Sequence, residues 1–223
     1  MIDTLHQIGF YCGRFHDGFW GEPQNSLSNA AFLVAAGIGL RAWRASARRD
    51  RYQLLLTGLA ALIGVGSFLF HAHPDPLTLQ FDLVPIQLFG MAAFFYLARA
   101  GFGLSTARAG AAILVFFLIR QGWLVIAPWI APRGFLGGAM SHVPTVALLL
   151  ACGLLLRARQ RGVASCLLVA GGFYAAAIVA RSLDVPLCGR FPFGLHWLWH
   201  SLTACVVGAV LLGLIRGLRL PAR

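Results

Sequence analysis

Five side chains in this sequence have the types and the spacing to build a hydrolytic metal centre. His196 and His200 stand in the run HWLWH. On a helix an i,i+4 pair shares one face, with the two imidazoles about 6 Å apart, so both can reach one ion. Ser67 and His71 repeat that spacing in SFLFH. Asp82, in LQFDLVP, is the only acid inside a long apolar stretch, where an ionisable group costs roughly 2.5–3.5 kcal/mol on insertion scales and so needs a reason to be there. Three imidazoles and a water make an open, tetrahedral zinc site of the catalytic kind. A carboxylate beside it can orient and deprotonate the water, and a hydroxyl can support the oxyanion that forms. Taken singly, each motif has a plainer reading. HxxxH marks two interfacial histidines, with Trp197 and Trp199 as interfacial aromatics. Ser67 bonds back to a carbonyl of its own preceding turn, and Asp82 caps a helix.

The combination depends on the elements that carry these residues. Apolar stretches fall at about 26–43, 52–72, 79–98, 109–128, 140–156, 163–180 and 195–215. Each can span a bilayer as a helix, since roughly 20 apolar residues suffice and a helix satisfies its own backbone groups. The connections are short and rich in Gly, Pro and Arg, with no linker and no internal repeat. The expected fold is therefore an all-α membrane protein, one seven-transmembrane-helix bundle over residues 1–223. All 18 basic residues are arginine. Thirteen lie in the loops after crossings 1, 3 and 5 or at the C-terminal end, against Arg14, Arg120, Arg133, Arg181 and Arg190 on the other side. The positive-inside rule then puts the N-terminus outside and the C-terminus in the cytoplasm. On that map crossing 2 ends outside, while crossings 3 and 7 begin outside, so Ser67, His71, Asp82, His196 and His200 share one depth. The other histidines, His6, His16, His73 and His142, also fall on or near the outer side.

Composition narrows the function classes. The chain of 223 residues is 59% hydrophobic and 11% charged, with a mean hydropathy of +0.76, whereas soluble domains are nearer half apolar and a quarter charged. A soluble globular domain and a disordered chain are both excluded. The net charge of +11 does not indicate nucleic-acid binding, because the arginines punctuate the apolar runs instead of forming one patch. Residues 1–19 lack a basic region followed by an apolar run, so no cleavable signal peptide is expected. The all-arginine composition, without targeting or retention signals, points to a bacterial inner membrane with the site facing the periplasm. Cys152, Cys166 and Cys205 sit in apolar runs as small hydrophobes. Cys12 and Cys188 lie in polar stretches, and no CxxC motif occurs.

The order SxxxH, then Asp on the next helix, then HxxxH on the last of seven helices resembles the CREST superfamily of membrane hydrolases. That superfamily includes alkaline ceramidases and the progestin and adipoQ receptors. The N-terminal run EPQNSLSN (Glu22 to Asn29) is similar to the ExxNxxSN opening of the first helix of alkaline ceramidases. Tyr11-Cys12 resembles the aromatic-Cys pair upstream of it, and HWLWHSLT (His196 to Thr203) resembles the family's HxxWHxxT pattern. The resemblance runs from about residue 10 to 215. It implies an intramembrane amidase that binds one catalytic Zn2+ through His71, His196 and His200. Asp82 would activate the water and Ser67 would stabilise the tetrahedral intermediate. The implied substrate is ceramide or a related N-acyl lipid, entering sideways from the bilayer and cut to a sphingoid base (or amine) and a fatty acid.

Three further expectations follow from that resemblance. Alkaline ceramidases bind calcium through acidic and Asn side chains around the aromatic-Cys pair and through the later Glu. Here only Glu22 stands at a matching place; the positions flanking Tyr11-Cys12 are Phe10, Gly13 and Phe15, and Asp17 is the one acid that could substitute. Calcium takes six to eight oxygens, so no tight Ca2+ site is expected, and Glu22 should cap or anchor the first helix with Asn25 and Ser28. The family's disulfide implies a Cys12–Cys188 bridge, permitted in an exterior compartment, that ties the N-terminal segment to the loop delivering His196. Outside the motifs, His73 could compete with His71 as a ligand, His142 lines the cavity or faces water, Arg120 needs a partner such as Asp184 or a lipid headgroup, and Gln87 suits a helix-to-helix hydrogen bond. Two rivals remain: a receptor-like member of the superfamily with a structural zinc, and a transporter using Asp82 and the histidines as a proton relay. The transporter ranks last, for want of paired inverted halves.

Overall fold

A computed structural model describes residues 11–16, 18–47, 49–130 and 135–220. His6, Phe10, Asp17, Arg48, Arg133 and Arg223 lie outside the described residues. The described chain is helical, with no strand. In order it forms α1 (Pro23–Ser28), α2 (Ala30–Ala45), α3 (Arg51–Ala72), α4 (Pro76–Tyr96, widening into a π-turn at Leu97–Gly101), α5 (Thr106–Ile130), a 3-10 segment (Phe135–His142), α6 (Val143–Leu156), α7 (Arg161–Asp184) and α8 (His196–Gly217).

Among the described residues, six helices are long and apolar enough to cross a membrane: Arg51–Ala72, Pro76–Gly101, Thr106–Ile130, Gly138–Leu156, Arg161–Asp184 and His196–Gly217. That is the pattern of a multi-pass membrane protein, with one long helix fewer than the sequence suggests. The difference lies in the first apolar stretch, which is split. α2 has 16 residues, about 24 Å at 1.5 Å per residue, against about 30 Å of hydrocarbon. The split has a local cause. The Asn25 carbonyl accepts from the Asn29 amide side chain at 2.8 Å, from Ser28 Oγ at 2.9 Å and from His200 Nδ1 at 3.1 Å. The Asn29 backbone N–H bonds instead to Ser26 O at 3.3 Å, so the helix tightens and breaks there.

Packing sets the order of the bundle. α7 lies along α8, α3 along α4, and α2 bridges α3 and α8. The core between them holds Leu56, Ile63, Tyr96, Leu167, Leu211 and Leu214, all buried. α5 stands apart, with only 6% of its apolar window inside the protein against 56% for α3 and α8, so its surface is left for lipid.

Two local features bring the candidate residues together. α4 starts at Pro76 behind Asp75, whose carboxylate accepts from the Leu77 and Thr78 amides in a capping box. This turns the chain back within four residues of His71. Gly66, beside Ser67, then lets α4 approach α3 so closely that a Cβ there would collide with the Phe81 carbonyl. That contact brings Asp82 in against α3.

Candidate metal centre

His71 comes from the last turn of α3, and His196 and His200 come from the first turns of α8. All three are buried, and one ligand nitrogen from each lies within 4.8 Å of the others. Ring centroids are 5.0 Å apart for His71–His196, 4.7 Å for His71–His200 and 4.4 Å for His196–His200.

The outward ring atoms decide what the inward ones can do. His71 Nδ1 lies 2.6 Å from Glu22 Oε2. His200 Nδ1 lies 3.1 Å from the Asn25 carbonyl and 2.9 Å from Ser28 Oγ. Carboxylates and carbonyls only accept, so each Nδ1 carries a proton, and Nε2 is the atom left to meet a metal. Histidine ligands of metals show this arrangement, with the second N–H held by a carboxylate or carbonyl. His196 Nδ1 is buried without a hydrogen-bond partner among the described residues, a loss that a metal or water would relieve. Zinc bonds nitrogen at about 2.0–2.1 Å, which places tetrahedral ligand nitrogens about 3.3 Å apart. Three buried imidazoles, each with a ligand nitrogen within 4.8 Å of the others, can close on such an ion.

Of the two roles expected of Glu22, capping or anchoring the first helix, its side chain does not cap but does bond Asn25 of that helix, and it reaches His71 as well. It occupies the N-cap position of α1 but makes no side-chain cap bond there. Its buried carboxylate instead bonds His71, accepts from Asn25 Nδ2 at 3.0 Å and pairs with Arg14 at 2.5 Å. Burial alone would raise its pKa, but the hydrogen bond and charge of His71, with Asn25 and Arg14, outweigh it and hold the carboxyl below the usual range. Both oxygens are therefore committed. Among the described residues, the histidine triad is the one group of three metal-binding side chains within reach of a single ion.

Asp184 positions the other half of the site. It is fully buried and accepts from the Leu195 and His196 amides at 2.7 and 3.0 Å and from the Cys12 amide at 3.1 Å. A carboxylate from α7 thus satisfies the open N–H groups at the start of α8. Gly194 permits this contact, since a Cβ there would sit 2.5 Å from Asp184 Oδ1. The cation near Asp184 is Arg181, at 3.6 Å. Arg120, for which Asp184 was considered, bonds Gln87 Oε1 at 2.8 Å between α5 and α4. The sulfurs of Cys12 and Cys188 stand at bonding distance, 2.02 Å, which fastens residues 11–16 to the segment leading into His196. There Tyr11 stacks on His196 with centroids 4.0 Å apart, and the Arg181 guanidinium lies 4.3 Å from the centre of the Tyr11 ring. Burial pushes the Tyr11 phenol up to about 12, so it stays a proton donor at neutral pH.

Ser67 and Asp82 are buried and line a cavity of about 480 Å³ together with Tyr11, His196 and His200. Asp82 Oδ1 has no hydrogen-bond partner among the described residues. The cavity continues past Trp199, Phe89 and Leu149 to Leu97 and Leu214. From His196 to Leu214 it follows α8 for about 27 Å, close to the thickness of the hydrocarbon core. His142 also lines it and bonds the Tyr174 hydroxyl at 2.7 Å. His73 stands outside, exposed, 3.7 Å from Asp75, and His16 is exposed on the N-terminal segment.

The roles of Glu22, Asp184, Arg14 and Tyr11 were not visible in residue spacing. The one available pointer was scarcity: the chain has only seven acids, so each beside an apolar run merits scrutiny. No family model matches the chain, nor does any curated protein or any solved structure.

Proposed function

We propose that the chain is a zinc-dependent intramembrane hydrolase that cleaves the amide bond of ceramide or a related N-acyl lipid, as its likeness to alkaline ceramidases implies. The observation that carries this reading is the buried triad His71, His196 and His200, two members of which, His196 and His200, line a long apolar cavity together with Ser67 and Asp82. A structural site would close its fourth position with another protein ligand; here no fourth metal-binding side chain joins the three histidines among the described residues, and His196 and His200 open onto the cavity. Bound there, zinc supplies Lewis acidity and a water that ionises near neutral pH.

The chain's own residues do the rest. Asp82 accepts a proton from the attacking water and returns it to the leaving amine. The Ser67 hydroxyl donates to the oxygen that gains charge. The cavity walls, which include Ile113, Phe116 and Phe117 of the sparsely packed α5, hold the acyl chain in line. In this reading α1 and α2 together form a seventh crossing. The N-terminus faces outward, the arginine-rich side faces the cytoplasm, and the site lies on the periplasmic side of a bacterial inner membrane. The Cys12–Cys188 bond suits that oxidising compartment.

The test is release of fatty acid and amine from labelled N-acyl sphingoid and other N-acyl lipids by pure, zinc-loaded protein. Turnover abolished by His196→Ala is expected. No product from any member of the panel would reject the hydrolase.

A further inference from the structure

A second cavity, of about 890 Å³, lies at the opposite end of the bundle, where the C-terminal ends of α2 and α8 meet the start of α3. Arg41, Arg216 and Arg219 line it. The cavity has one acid, Asp50, and that carboxylate is already engaged. Oδ1 accepts from the Tyr52 amide at 2.8 Å, and Oδ2 accepts from the Tyr96 hydroxyl at 2.8 Å. The floor is built and buried. Gln53 Nε2 donates to the Tyr96 hydroxyl at 2.8 Å and to the carbonyls of Leu214 and Leu218 at 3.1 and 3.3 Å. The three arginines are exposed at its wall, and none forms an ion pair among the described residues.

We infer that this cavity binds a phosphate-bearing anion. Arginines on the wall of one cavity suit the oxygens of a phosphate, which a guanidinium grips in bidentate fashion. A basic pocket between membrane helices is also where anionic headgroups settle. A lipid fits better than free phosphate on one further observation. Ile38, on the cavity wall, and Val34, one turn back, are both exposed on the same face of α2. They offer an apolar track for an acyl chain leading away from the arginines. The site is separate from the histidine triad and does not depend on hydrolysis.

The test uses the full-length protein in neutral detergent, with thermal unfolding read against phosphatidylglycerol, phosphatidylcholine and inorganic phosphate. Phosphatidylglycerol should raise Tm by about 5 °C or more at saturation, with phosphatidylcholine far behind. The same rise with inorganic phosphate alone would identify free phosphate as the source of the same chemistry. The triple variant R41Q/R216Q/R219Q should lose the shift, and Arg159→Gln, an exposed arginine outside the cavity, should keep it. Should the triple variant not fold, Ala45→Glu places an acid on the cavity wall and should abolish the shift by itself. Equal shifts from the two lipids, no shift from any anion, or a phosphatidylglycerol shift that survives in Ala45→Glu would overturn the inference.

Discussion

Replacing Glu22 by Gln keeps the shape of the side chain and removes its charge, so it isolates what the carboxylate does for His71. In the wild type Glu22 Oε2 sits 2.6 Å from His71 Nδ1, and Oε1 pairs with Arg14. The amide can still accept from His71, but it no longer makes a charge-assisted bond and leaves Arg14 without its partner. Loss of such an outer partner of a metal ligand weakens metal binding by about 10–100-fold, or about 1.4–2.7 kcal/mol. The assay is competition for zinc between the purified protein and a chelator of known affinity, followed by metal content after desalting. A zinc Kd raised by at least about tenfold, with stoichiometry recovered at excess zinc, is the expected result. A Kd within about twofold of wild type, roughly 0.4 kcal/mol, would refute the claim that Glu22 orients His71.

Asp82→Asn should retain zinc and lose hydrolysis by about 10²–10⁴-fold; undiminished turnover would remove Asp82 from the chemistry. Gly66→Ala should destabilise the protein by about 3 kcal/mol, the upper end for overpacking, because its methyl meets the Phe81 carbonyl. Gly58→Ala on the same helix, which meets nothing within 4 Å, should stay within about 0.5 kcal/mol in the same thermal scan. Reducing the Cys12–Cys188 bond should lower stability by about 2–5 kcal/mol and loosen zinc together with it, read as Tm and metal content with and without reductant. Glu22 has a lowered carboxyl pKa in the folded protein. Its stabilisation is therefore present above the ordinary glutamate value of about 4.3 and is lost as pH falls through the lowered one. In Tm measured against pH on metal-free protein, wild type should fall more steeply than Glu22→Gln below about pH 4.

Spans 2 to 7 were legible because each is a continuous apolar run, and helix length follows from bilayer thickness whatever the neighbours do. The first was not, because local spacing supplies only part of its break at Asn29: Ser28 and Asn29 bond the Asn25 carbonyl from close by, but His200, which bonds it too, lies 175 residues away. Likewise, i,i+4 spacing put Ser67 and His71 on one face of a helix and His196 and His200 on another. A shared depth brought them to the end of the bundle where Asp82 also sits. Depth does not report which way a helix is turned. Arg120 and Asp184 fall on the same side of the membrane map yet face different partners, Gln87 and Arg181. Glu22 illustrates the same limit, since only the folded chain brings it back over His71.

The central claim is one ion held by three imidazoles. Metal analysis with X-ray absorption at the zinc edge, on protein purified without chelator, tests it directly. About one zinc per chain, with three nitrogen ligands at about 2.0–2.1 Å and loss of the metal in His200→Ala, is the predicted result. Protein that binds no zinc when it is supplied, or that keeps its zinc when His71, His196 or His200 is replaced by alanine, would contradict it.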